Sequence, residues 1–236
     1  MKVPGILCAA FLALSAPVAG AVDTTEEVER PRIGLALSGG GARGSAHVGV
    51  LRMLDELGVP VDYIAGTSMG SIIGALYAAG YTADGIQRVL DTMDWETALT
   101  DRPDRIYRTM RRKELESDLL IPYRLGFNKG SLELPLGVIE GQHLDQVLHH
   151  LLMPVVDIRS FDELEIPFRA VATDLVSGEE VVLSSGSLPN ALRASMSVPG
   201  VFAPVDIDGR LLVDGGMSNN LPVSVVRAMG ADIAVG

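Results

Sequence analysis

Three groups of residues in this 236-residue chain have the types and spacing to do chemistry. Gly66-Thr67-Ser68-Met69-Gly70 spells G-x-S-x-G. Between a strand and a helix, that pattern turns the chain sharply enough to expose a serine hydroxyl as a nucleophile, and its small flanking residues relieve crowding. The same residues also read as a helix N-terminus capped by Ser68 or Thr67. A second group is Gly39-Gly40-Gly41-Ala42-Arg43-Gly44, whose glycines let backbone N–H groups converge at a helix start and stabilise an anion, an oxyanion included. It also fits the dinucleotide pattern G-x-G-x-x-G. A nucleotide fold wants an acidic residue at the end of the next strand to hold the ribose. Here that strand runs into Gly66–Gly70, with Asp62 before it, and no Gly-Lys-Ser/Thr follows the loop. The third group is Asp214-Gly215-Gly216. On its own it is a tight turn, but at a strand end it offers a carboxylate where open α/β sheets place their sites.

Other candidates carry less. His47 falls three residues after Gly44, in the first helix, and reads as structural. His149 and His150 are adjacent, so on a helix they point about 100° apart and face solvent; with His143 they complete the histidines. No pair has zinc spacing beside a glutamate, and no acidic cluster resembles a calcium loop. No metal or other cofactor is therefore expected. The one cysteine, Cys8, precedes the body of the chain, which holds no disulfide and no thiolate cluster. With 19 Lys+Arg against 30 Asp+Glu, the charge of −11 has the wrong sign for neutralising nucleic-acid phosphates. One basic stretch breaks that balance: Arg102, Arg105, Arg108, Arg111, Arg112 and Lys113. It reads as a solvated helix or loop offset by Glu114, Glu116 and Asp118, or as a patch drawn to anionic lipid headgroups.

The elements that must hold these groups follow from periodicity. Short apolar runs at Ile33–Leu37, Val61–Ala65, Phe168–Thr173, Val181–Leu183, Leu211–Val213 and Asp232–Val235 read as strands. Helices are expected from Val48 to Leu57, stopping at Gly58, and over Met69–Ala79, Leu144–Leu152, Leu188–Met196 and Val223–Met229. Strands alternating with helices argue an α/β layered fold with a mostly parallel sheet. Lys2, the apolar run Ile6–Leu14 and the small residues Ala19-Gly20-Ala21 have the order of a secretory signal peptide, too short to span a bilayer. Residues 1–21 are thus expected to be an export signal, 22–31 a polar linker and 32–236 one catalytic domain. Because the chain stops within a strand pattern, that domain is expected to be C-terminally incomplete.

Taken together, the three groups resemble the patatin-like phospholipases, which combine a G-G-G-x-R/K-G loop, a G-x-S-x-G serine and a D-G-A/G aspartate in this order. The runs His47–Leu51, Ala172-Thr173-Asp174 and Ala194–Pro199 are similar too, whereas residues 101–135 match poorly. The resemblance implies a three-layer α/β fold with a mostly parallel central sheet flanked by helices. It also implies a Ser–Asp dyad: Ser68 would attack an acyl ester and Asp214 would take its proton. The N–H groups of Gly39, Gly40 and Gly41 would hold the oxyanion, supported by Arg43, Gly44, Gly66, Gly70, Gly215 and Gly216. An ordinary aspartate, with pKa near ~3.9, is a poor base, so such a dyad needs a dry site or concerted proton transfer. The implied substrates are phospholipids or lysophospholipids at a membrane surface, with general ester or thioester hydrolysis as the alternative on the same fold. The implied location is the periplasm, the outer membrane surface or the medium. A C-terminal outer-membrane barrel, present in some bacterial relatives, is compatible with an unfinished C-terminus. The apolar residues Leu119, Leu120, Ile121, Leu125 and Phe127 make the 101–135 segment a candidate lid.

Overall fold

Short apolar segments that end in glycines set the frame of the molecule. The computed structural model describes residues 30–100, 126–128, 131–133 and 139–236. The expected export signal, most of the linker and nearly all of the 101–135 segment, its basic residues included, lie outside the described residues. Strand β1 (Ile33–Leu37) has four of its five residues buried. After a 3-10 turn (Gly41–Ser45), helix α1 (Ala46–Leu57) ends at Gly58, whose φ of 62° is the left-handed cap a glycine adopts without strain. Strand β2 (Tyr63–Thr67) leads directly into α2 (Met69–Ala78). Nine of the ten α2 residues are buried, so this helix is apolar on every side and runs through the core.

Two helices that the apolar spacing alone did not reveal follow: α3 (Ala83–Thr92) and α4 (Trp95–Thr100). Thr82 caps α3, its hydroxyl accepting the Gly85 N–H at 3.1 Å. A two-stranded ribbon, β3 (Gly126–Asn128) and β4 (Ser131–Glu133), precedes α5 (Gln142–Leu151). Then come β5 (Phe168–Asp174), β6 (Glu180–Leu183), α6 (Leu188–Ser195), β7 (Val205–Ile207), β8 (Arg210–Asp214), α7 (Val223–Met229) and β9 (Ile233–Val235). The β7–β8 hairpin turns on Asp208 and Gly209, both at positive φ, as a tight Asp-Gly turn requires.

The fold is mixed α/β with a seven-stranded central sheet flanked by helices. Strands β9, β1, β2 and β5 are parallel neighbours, while β6, β8 and β7 join antiparallel. The parallel character therefore holds for the centre and not for the strands beyond β5. One face of the sheet is covered by the large core that includes Leu35, Leu37, Ile64, Ile73, Phe168 and Leu192. On the other, Ala36, Ala65 and Val171 meet Val225 and Val226 of α7 in a smaller core. Because side chains alternate along a strand, the small residues at 36 and 65 fall on the α7 face and let that helix lie close.

The register places the decisive feature. Strand β2 pairs with β5 up to Thr67 opposite Val171, and β8 takes over at Asp214 opposite Ala172. Just outside the two ends of β5, the groups of Pro167 and Leu175 bond to β2 and β8 respectively, whereas Asp174 bonds toward β6. Backbone groups alternate edges along a strand, so β2 and β8 share one edge of β5 and meet there end to end. Ser68 and Asp214 sit at that junction.

Candidate active site

Ser68 leaves β2 at φ 53° and ψ −123°, a strained conformation for a non-glycine residue. Such backbone costs on the order of 1–3 kcal/mol and persists only where the surroundings over-determine it. Part of that support is steric. A Cβ at Gly70 would strike the carbonyls of Leu37 and Ser38, so only glycine lets α2 start this close to β1. Gly66 is packed against Gly70 and Ser71 in the same way. The Ser71 hydroxyl donates to the Ser68 carbonyl at 2.6 Å, and the Ser68 N–H donates to the Ser195 hydroxyl at 2.9 Å.

From this elbow the Ser68 hydroxyl donates to Asp214 Oδ2 at 2.7 Å, across 146 positions of sequence. Both residues are about 7% exposed. The other carboxylate oxygen accepts the Gly216 N–H at 2.7 Å. The Asp214 backbone is held as well: its N–H donates to the Ser197 carbonyl at 2.9 Å, and its carbonyl accepts the Thr173 hydroxyl at 3.0 Å. A Cβ on Gly215 would collide with the Val171 carbonyl, which shows how closely the Asp-Gly-Gly turn is set against β5. Burial lifts the Asp214 carboxyl above the usual carboxylate range, and the Gly216 N–H and the Ser68 hydroxyl offset part of that rise. A raised pKa is what a proton acceptor needs, because an ordinary carboxylate binds a proton too weakly.

The glycine loop lies beside the serine. A Cβ on Gly39 would stand 3.0 Å from Ser68 Cβ and 2.7 Å from Asn220 Oδ1. Its N–H, expected among the oxyanion donors, instead donates to the Asn220 carbonyl at 3.2 Å. That N–H is therefore engaged within the protein. Gly40 caps the 3-10 turn, whose first internal bond runs from the Arg43 N–H to the Gly40 carbonyl at 3.2 Å. The N–H groups of Gly40, Gly41 and Ala42 therefore precede every carbonyl the turn could offer them. Gly44 is buried against Met69, and Arg43 is exposed at the loop's rim.

His47 takes no place in a triad: its Nε2 donates to the Ser38 carbonyl at 2.9 Å, steadying the peptide that enters the loop. His143, His149 and His150 belong to α5, where the His149 ring bonds to the Asp145 carbonyl. Asp62, which precedes the strand that a nucleotide reading would use, accepts the Ile33 N–H at 2.7 Å and ties β2 to β1. Sequence reasoning missed Ser195, Ser71, Thr173 and Asn219–Asn220 as parts of the site. All act through backbone groups, and all but Ser71 reach a partner distant along the chain (the Thr67 hydroxyl, for example, donates to the Asn219 carbonyl), so residue type alone does not reveal them.

Comparison with known proteins identifies the family and the fold. The family described as patatin-like phospholipase matches residues 35–227. An NTE family protein of Mycobacterium tuberculosis is 37% identical over 205 residues, covering 87% of this chain and 48% of that protein. Patatin-like phospholipase domain-containing protein 6 of Homo sapiens is 34% identical over 205 residues, covering 86% of this chain and 13% of that protein. The chain thus spans about half the length of the mycobacterial relative and a small part of the human one. Among solved structures, VipD from Legionella pneumophila shares the fold with a TM-score of 0.50 at 16% identity, over 81% of this chain and 47% of that one.

Proposed function

The chain belongs to the patatin-like phospholipase family, and from that premise we propose that it is a serine acyl hydrolase releasing fatty acids from phospholipids or lysophospholipids through a Ser68–Asp214 dyad. The observation that carries the reading is the 2.7 Å bond from the Ser68 hydroxyl to a buried carboxylate whose proton affinity burial has raised. Ser68 Oγ attacks the ester carbonyl carbon while Asp214 Oδ2 takes its proton. The carbonyl oxygen becomes an oxyanion facing the Gly40 and Gly41 N–H groups, each such donor worth roughly 3 kcal/mol. Collapse breaks the ester bond, Asp214 returns the proton to the departing alcohol, and an acyl-serine remains. Water then gives a proton to Asp214 and attacks the acyl carbonyl, and Asp214 returns that proton to Ser68 Oγ as the fatty acid leaves.

The lipid substrate class rests on family membership, and the export signal of residues 1–21 would carry the enzyme out of the cytoplasm to a membrane surface. The test is turnover of phosphatidylcholine, lysophosphatidylcholine, a short acyl ester and an acyl thioester by the wild type and by Ser68→Ala. Wild-type release of fatty acid from the two lipids, reduced at least about 10³-fold in Ser68→Ala, is the expected result. Turnover confined to the short ester or the thioester would move the assignment to a general esterase or thioesterase. Unchanged activity in Ser68→Ala would overturn the dyad.

A further inference from the structure

We infer that the Ser195 hydroxyl is a positioning group that sets the nucleophile by replacing one rung of the β2–β5 ladder. The inference deepens the hydrolase reading and rests on it. In this parallel pair the Ile64 N–H donates to the Pro167 carbonyl, 3.0 Å away, and the register continues to Thr67 opposite Val171. Two-residue periodicity makes the Ser68 N–H and the Val171 carbonyl the next partners but one along that edge. They do not bond directly. The Ser68 N–H donates to Ser195 Oγ at 2.9 Å, and the Ser195 O–H donates to the Val171 carbonyl at 2.5 Å.

A hydroxyl is thus inserted where a direct rung would lie. The insertion opens the two strands at the point where Ser68 must leave β2 for its strained turn, and satisfies both backbone groups without water: Ser195 is completely buried. The same Val171 carbonyl is the wall against which Gly215 packs, so one hydroxyl fixes the amide of the nucleophile and the floor beneath the Asp214 turn together. Ser195 ends α6, a helix that packs on β5, which makes its position as firm as the sheet's. Ser195 touches no reacting atom; it acts through the Ser68 backbone.

The experiment compares Ser195→Ala with Ser187→Ala in the full chain, using a short acyl ester at temperatures well below either unfolding midpoint. Ser187 caps the opposite end of the same helix, accepting the Asn190 N–H, so its loss loosens α6 without touching the rung. Ser195→Ala should lower kcat about 10- to 100-fold with KM within about threefold, because a small misplacement of a reacting group costs rate and not ground-state binding. Ser187→Ala should lower the unfolding temperature and keep kcat. Amide hydrogen exchange adds a reading independent of turnover: the Ser68 N–H should exchange at least about tenfold faster in Ser195→Ala than in either the wild type or Ser187→Ala. Wild-type kcat and an unchanged Ser68 exchange rate in Ser195→Ala would overturn the inference. An inactive wild type would instead overturn the hydrolase reading, and the exchange measurement would still decide the rung.

Discussion

Two aspartates at the ends of neighbouring strands show almost equally little surface, yet their surroundings push them in opposite directions. Asp174 ends β5, paired with Leu212, and Asp214 ends β8, paired with Ala172. Their exposures are 8% and 7%. Asp174 accepts the N–H groups of Val176 and Ser177 on one oxygen and Arg210 Nε on the other. Those donors, the Ser177 N–H first and then Arg210, hold its carboxyl below the usual range. Asp214 has one backbone N–H and one neutral hydroxyl, too few donors to offset the loss of water, and its pKa rises. Small surface exposure alone does not separate the two carboxylates. Depth of burial, first for Asp214, and the number and charge of the donors, first for Asp174, together do.

The sharpest way to break that comparison is to neutralise each carboxylate in turn. Asp214→Asn should lower kcat by about 10²–10⁴-fold, the range of a lost general base, because an amide cannot accept the serine proton. Asp174→Asn should stay within about threefold of wild type, since its side chain reaches no reacting atom. Acyl-ester turnover by both variants checks the pair. Equal losses would mean that Asp174 takes part in the chemistry, and a fully active Asp214→Asn would remove the base altogether.

A finer test uses pH. The free enzyme must hold Asp214 ionised to accept a proton, so kcat/KM should fall tenfold per unit of pH below its folded pKa. Burial raises that value, so the acidic midpoint should stand above the ordinary aspartate value of about 3.9. Asp174→Asn should leave the midpoint in place. A wild-type midpoint at or below about 3.9 would contradict the buried base.

Much of this arrangement was legible in the sequence. Gly66–Gly70 offered an elbow or a capped helix N-terminus, and the positive φ of Ser68 with no side-chain cap bond shows the elbow. The Asp-Gly-Gly turn offered a candidate carboxylate through its place at a strand end, and the structure brings it to the Ser68 hydroxyl. Other features carry a signal in the sequence as well. Asp208-Gly209 between alternating residues is a hairpin signal for β7 and β8, and Thr82 ahead of Ala83, Ile86 and Leu90 marks the start of α3. The diversion of the Gly39 N–H to Asn220, and the Ser195 rung, could not be read in advance, because a backbone donor's partner is fixed only when distant segments pack. The antiparallel extension was hidden for the same reason: a short apolar run looks alike in either orientation.

The smallest expected effect separates the aspartates most cleanly, because its sign differs between them. A carboxyl with a raised folded pKa contributes stability below its unfolded value, about 3.9, and loses it as pH climbs through the folded value. Asparagine carries no such loss, so Asp214→Asn should melt above wild type at pH 7, by on the order of a few °C. A depressed pKa works the other way: the Asp174 contribution is fully present above about 3.9 and fades as pH falls toward its folded value. Asp174→Asn should therefore melt below wild type at pH 7. Thermal unfolding of the three proteins at neutral and acid pH reads both signs, with the spread narrowing in acid. If Asp214→Asn also melted below wild type at pH 7, the buried carboxylate would be a net stabiliser of the fold. Burial would then not have raised its proton affinity, and the case for Asp214 as the base would fall.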